Sequence, residues 1–202
     1  HLAIGQLARQ VGVAFQQPEL QIFSPTVWDE VAFGPRNLGL RGDALEHAVA
    51  DSLALFDLTG LAGCPPAALS FSARRMVALA SIAAMNTPVL ALDEPTVGLD
   101  ARGVARVLDW LMKRRRAGAT IILVTHDMEI AAAYAQRVIV LLDGQIIGDD
   151  KPHQVFNQDG LLARAGLRKP FAVALANGLG RALLSPDLTP QGAARAWLEH
   201  LS

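Results

Sequence analysis

The chain has 202 residues, 51% of them hydrophobic and 18% charged, with a formal net charge of −1. That length supports one good core with room for a small appended segment, and the near-neutral balance lacks the electrostatic footprint of a nucleic-acid binder. The run Lys113-Arg114-Arg115-Arg116 reads instead as the solvated C-terminal end of a helix, where cations suit the macrodipole. Mean hydropathy is high at +0.29, yet the apolar runs Val77 to Met85 and Val138 to Leu142 fall well short of the ~18 residues of a spanning helix. Cys64 is the single cysteine, so no internal disulfide forms and a reducing compartment is expected. Gln6, Arg9 and Gln10 interrupt the opening residues, and no signal peptide is expected there.

In chain order, Val11-Gly12-Val13-Ala14-Phe15 predicts a short strand that delivers Gln16 at its tip. In an open α/β sheet a strand tip is the mouth of a site; taken alone, a glutamine there is an ordinary loop residue. From Asp43 the spacing predicts a helix. Asp43 is the expected cap, Glu46 completes a capping-box pattern, and Leu45, Val49, Leu53 and Phe56 fall on one stripe. Gly60, Gly63 and Pro65-Pro66 break the chain before a second helix from Leu69-Ser70 to about Ala84, with Val77, Leu79, Ala80 and Ala83 inward and Arg74 and Arg75 near its start.

The run Pro88-Val89-Leu90-Ala91-Leu92 predicts a strand buried on both faces. It stops at two adjacent carboxylates, Asp93 and Glu94, and Pro95-Thr96-Val97-Gly98-Leu99-Asp100 follows. Residues 101–117 then predict a helix facing Val104, Val107, Leu108, Leu111 and Met112 inward and closing at Gly118. The strand Thr120-Ile121-Ile122-Leu123-Val124 ends at Thr125-His126-Asp127. A helix across Met128 to Ala135 leads to a hairpin, Arg137 to Leu142 and Gln145 to Gly148, turned by Asp143-Gly144. Beyond Gly160, glycines and prolines punctuate short segments, and Thr189-Pro190 opens a last amphipathic helix through Ala194, Trp197, Leu198 and Leu201.

Residues 88–100 resemble the Walker B segment and D-loop of ATP-binding-cassette (ABC) ATPases. Thr125-His126-Asp127 is similar to their H-loop. Gln16-Gln17-Pro18-Glu19, Gln21-Ile22-Phe23, Glu30-Val31-Ala32-Phe33-Gly34-Pro35 and Asn37-Leu38-Gly39-Leu40 resemble the Q-loop region of the energy-coupling-factor and cobalt/nickel branch. The resemblance implies an α/β fold, a RecA-like P-loop NTPase core at 1–34 and 76–158, a helical signature subdomain at 35–75, and a short helical C-terminal extension at 159–202. It implies ATP and Mg2+ as cofactors. Asp93 and Gln16 would serve the metal, Glu94 would be the general base, His126 would bridge base and γ-phosphate, and Ser70 and Asp100 would reach nucleotide and partner across a dimer. The implied partners are a second ABC ATPase subunit and a transmembrane subunit docking on a groove near Ile22, Phe23, Trp28 and Phe33, at the cytoplasmic face of the plasma membrane; no nucleic acid is expected.

Two departures bear on mechanism. Where the family reads Leu-Ser-Gly-Gly-Gln, this chain reads Leu69-Ser70-Phe71-Ser72-Ala73, and a glycine that admits a phosphate becomes phenylalanine only at a cost in space. No Gly-x-x-x-x-Gly-Lys-Ser/Thr occurs, although the chemistry needs one. The expectation is an N-terminally incomplete ATPase; the alternative is a non-hydrolysing subunit that pairs with an intact one. An ABC protein of DNA repair or translation is disfavoured by the lack of basic character.

Overall fold

The computed structural model describes residues 4–178, which fall in two compact units meeting at Val124 and Thr125 in the chain. The expectations at Thr189-Pro190 and Trp197 lie outside the described residues.

The first unit is built on three parallel strands, β1 (Val11–Ala14), β2 (Val89–Asp93) and β3 (Thr120–Val124), in the order β1-β2-β3. Register pairs Ala14 with Leu92, and Asp93 with Val124. Side chains alternate between faces. Ala14, Leu90 and Leu92 are buried in the core, with Ile121 and Leu123 packed against it. The opposite row is open: Val13, Ile122 and Val124 are 42%, 52% and 56% exposed. The expectation that β2 is buried on both faces is therefore corrected. It alternates because the helices packed on the sheet lie against the Leu90 and Leu92 row, leaving Ala91 and Asp93 half-buried.

A short helix, α1 (Ile4–Ala8), precedes β1. Between β1 and β2 lie α2 (Val27–Asn37), α3 (Gly42–Leu55) and α4 (Phe71–Met85). Thr26 caps α2 by accepting from the Asp29 amide at 3.0 Å. α2 runs through residues 34 and 35 and α4 through 75 and 76, and a single buried cluster joins Val31, Val49, Phe56, Val77, Leu79 and Leu90. The stripe Leu45, Val49, Leu53 and Phe56 is buried as its spacing requires. Its cap differs: Arg41 occupies the N-cap position without a side-chain bond, and Asp43 lies in the first turn. There its carboxylate faces the positive end of the helix dipole without closing a capping box.

Asp100 caps α5 (Ala101–Arg116), accepting from the Gly103 amide at 2.7 Å. Val107, Leu108, Trp110 and Leu111 form its buried face, and Trp110 meets Phe56 edge-on at 5.4 Å. Val104 and Met112 are only half-buried. The four cations of the last turn sit where the dipole favours them.

The second unit comprises α6 (Met128–Tyr134), the antiparallel pair β4 (Val138–Leu142) and β5 (Gln145–Asp150), α7 (Pro152–Phe156), α8 (Asp159–Ala165) and α9 (Phe171–Gly178). Asp143 and Gly144 turn the hairpin with φ of 50° and 75°, the left-handed geometry that matches strand twist. The return strand runs two residues beyond Gly148, to Asp150. Phe156, Leu162 and Val173 form one small core and Val140, Val155 and Leu161 another. Among the described residues no helix is long and apolar enough to cross a membrane.

Replacing Leu90 by alanine is expected to cost about 2–5 kcal/mol, whereas Ile122→Thr on the open row should cost less than about 1 kcal/mol. Urea denaturation of the two variants checks this, and equal losses would mean that both faces are packed.

Arg137 binds Asp149 through two bonds of 2.6 Å across the hairpin. That hydrogen bonding, ahead of the charge attraction, holds the Asp149 carboxyl below its usual 3.8 and lifts Arg137. A carboxyl lowered on folding stabilises fully above its ordinary value and loses that contribution as pH falls through the lowered one. An acid titration of Asp149→Asn should show a shallower loss of stability below pH 3.8 than the parent; superimposable curves would show that the pair contributes nothing.

Candidate functional site

Parallel pairing brings the C-terminal ends of β1, β2 and β3 to one edge of the sheet, and the polar residues begin there. Asp93 is the last residue of β2 and points to the same face as Val13, Ala91 and Ile122 by strand alternation. Glu94 continues the ladder by one bond, its amide donating to the Val124 carbonyl at 2.9 Å. It is 8% exposed and sits at φ 47°, a left-handed conformation that costs a non-glycine residue energy and is held by its surroundings. Gln16 is exposed, two residues past the end of β1.

Arg75 joins these tips. It lies in the second turn of α4 and is 2% exposed. Its guanidinium donates to the carbonyls of Gln16 at 2.5 Å, Glu94 at 3.2 Å and Phe15 at 3.5 Å. Burial pushes this group below its usual value, while Glu19, Glu94 and Asp93 pull the other way; an arginine stays cationic regardless. Gln21 braces the same turn: its Oε1 accepts from the Phe15 amide at 3.3 Å, and its Nε2 donates to the Ala78 carbonyl at 3.1 Å.

Of the sequence candidates, Gln16, Asp93 and Glu94 come together on this edge. Ser70 is the N-cap of α4, its Oγ accepting from the Ala73 amide at 3.2 Å. The next residue, Phe71, lays its ring on Gly98, where an added Cβ would stand 2.5 Å from the ring. Ser70 is thereby placed beside the loop that ends at Asp100. Asp100 spends Oδ1 on the α5 cap. His126 belongs to the second unit, in the exposed turn before α6, where Asp127 caps the helix by accepting from Glu129 and Ile130.

Arg75 and Gln21 were not legible as site residues. The one signal for Arg75 was its place on the apolar stripe of α4, four residues before Leu79 and seven before Ile82, where an unpartnered cation would be prohibitive. Among the described residues no cluster of three or more His, Cys, Asp or Glu could hold a metal ion unaided. The lone half-buried carboxylate of Asp93 fits Mg2+, which keeps its water and takes one or two carboxylates beside phosphate oxygens.

Comparison with known proteins agrees with this geometry. The family model described as "AAA domain, putative AbiEii toxin, Type IV TA system" matches residues 15–132. The energy-coupling factor transporter ATP-binding protein EcfA of Methanothermobacter thermautotrophicus is 39% identical over 183 residues, covering 91% of this chain and 59% of that protein. EcfA of Methanocaldococcus jannaschii is 40% identical, with 82% of this chain and 59% of the relative covered. The chain thus spans under two thirds of the length of these relatives. Among solved structures, CbiO1 of Clostridium perfringens, described as part of the ABC transporter complex cbiONQ, superposes with a TM-score of 0.65 at 34% identity, covering 85% of this chain and 69% of that one. A dimeric ATP-binding cassette in a post-hydrolysis state with ADP and Pi gives 0.67 at 26%, covering 75% and 68%. With a parallel sheet that carries a glutamine and an acid pair at its strand ends, and with relatives this similar over this much of its length, the chain belongs to the ABC ATPase family, with the RecA-like fold and in the EcfA- and CbiO-like branch.

Proposed function

We propose that this chain is the larger part of the nucleotide-binding subunit of an energy-coupling-factor-type importer, in which ATP hydrolysis at a dimer interface drives uptake of a vitamin or a transition-metal ion. The observation that carries this reading is the convergence of Gln16, Asp93 and Glu94 on one sheet edge, in a chain related to EcfA.

In this reading Asp93 would hold Mg2+, which would supply positive charge against the phosphates. Glu94, nearly enclosed at the end of β2, takes a proton from the attacking water, a task that needs a carboxylate within hydrogen-bond reach of that water. Gln16 orients that water and senses the metal. His126 holds the γ-phosphate in line, and Ser70 and Asp100 serve the site across the dimer from their own. A transmembrane subunit docks where Phe23, 66% exposed, meets Phe33, 47% exposed, edge-on at 4.7 Å, with Arg36 over the Trp28 ring at 5.1 Å. Such a subunit places the protein peripherally at the cytoplasmic face of the membrane.

One observation favours a second reading, a non-hydrolysing subunit paired with an intact ATPase. The Phe71 ring occupies the start of α4 and packs on Gly98, so the site served by Ser70 lacks the open backbone that a phosphate needs at a helix N-terminus.

Replacing Glu94 by glutamine in the full-length protein is expected to lower ATP turnover at least about 100-fold, with the affinity for ATP changed less than about threefold. Steady-state phosphate release and nucleotide binding measure the two quantities. Unchanged turnover removes Glu94 from the role of base, and a parent protein that binds ATP without hydrolysing it selects the second reading.

A further inference from the structure

The register of the parallel ladder ends before the site does. Ala14 pairs with Leu92, and Phe15 and Gln16 have passed beyond the last β1–β2 register pair. On the other strand Glu94 bonds onward to Val124, away from β1. The gap between the Gln16 tip and the Glu94 tip is therefore not closed by sheet hydrogen bonds. The Arg75 guanidinium of α4 spans it, with the Gln16, Phe15 and Glu94 carbonyls all accepting from its two terminal nitrogens.

This is an expensive way to fasten two loops. A buried guanidinium loses its hydration, the Arg75 Nε is buried with no hydrogen-bond partner, and the nearby Glu19 is bonded to Arg74 instead, at 3.1 Å. Neutral carbonyls do not cancel the charge. What the cation supplies is geometry: a planar fork with fixed donor directions sets the spacing of the groups it binds. Phe71 lies under the same fork, 5.4 Å from its ring centre to the guanidinium carbon, and presses on Gly98. The helix that begins at Ser70 thus touches both tips and the Gly98 turn through one stacked pair.

We propose that Arg75 is a positioning residue that sets the separation of Gln16 and Glu94, and that Phe71 makes this separation depend on where the Ser70 end of α4 stands. The functional part rests on the hydrolysis reading; the tether itself does not. Movement of the helix start is carried by a stacked ring and a guanidinium to the main chain of the proposed base and of the metal-sensing glutamine. Small errors there matter, because misplacement of reacting groups by ~1 Å can cost ~100-fold in rate.

The test uses the full-length protein with Arg75→Met, which keeps the packed stem and removes the donors, Arg75→Lys, which keeps a charged donor, and Phe71→Leu, which removes the aromatic face. Hydrogen exchange should be at least about tenfold faster at residues 15–22 and 94–100 in Arg75→Met, with residues 45–56 unchanged and partial recovery in Arg75→Lys. Phe71→Leu should loosen both tips together, although it bonds to neither carbonyl. In turnover, Arg75→Met should lower kcat at least about tenfold with KM for ATP within about twofold, and Arg75→Lys should recover part of that loss. Unchanged exchange at both tips overturns the tether, as does a rise spread evenly over the first unit. If Arg75→Met does not fold, Phe71→Leu and Arg75→Lys decide by the same exchange readout. If the parent shows no turnover, the hydrolysis reading fails while exchange still judges the tether.

Discussion

The constraint on which the rest depends is the parallel, in-register pairing of β2 between β1 and β3. A parallel ladder points all strand ends the same way, so residues far apart in sequence are delivered to one edge without any long-range specificity of their own. Leu90 and Leu92 hold β2 against the helices, and the same alternation turns Asp93 to the other face. In the acid pair Asp93 is half-buried on the open side, and Glu94 is enclosed beyond the last paired residue. Two adjacent carboxylates acquire different surroundings from a single strand end.

Around that edge the turns are held by side chains bonded to main chain. Glu30, 3% exposed, accepts from the amides of Phe23 at 3.1 Å and Ser24 at 2.9 Å, fixing the turn that presents the exposed aromatic pair. Gln21 holds Phe15 to α4, and Arg75 holds Gln16 and Glu94. Each of these side chains thereby fixes a loop with no ladder of its own, Arg75 doing so at the cost of a buried Nε without a partner. Two of the fasteners, Glu30 and Arg75, sit in helices that share the sheet's core.

The strands and helices were largely legible in the sequence because their signals are local. The run Val89 to Leu92, the stripe Leu45, Val49, Leu53 and Phe56, the Gly118 stop and the Asp143-Gly144 turn each need only neighbouring residues to be understood. Asp93, Glu94 and Gln16 were legible as rim residues because a strand end is a local event too. The misreadings arose where the answer lies at a distance. Asp43 has the composition of a cap, but the cap position falls two residues earlier, at Arg41. The β2 run is apolar enough for two covered faces, yet the described helices pack on one. Arg75 reads as a polar residue at a helix start; only the folded chain shows three carbonyls, from strand ends 60 and 19 residues away, converging on it. The relation of His126 to the acid pair belongs to two separate units, and no spacing in the sequence fixes it.

The exposed row of Val13, Ile122 and Val124 has a practical meaning for anyone handling these residues. Water-averse area of this kind attracts its like more strongly as a cold solution is warmed, and sulfate or phosphate strengthens the attraction. With a net charge of only −1, little electrostatic repulsion keeps copies apart. The 202-residue polypeptide should therefore clump in concentrated, salty, room-temperature buffer and disperse best when dilute, chilled and low in kosmotropes.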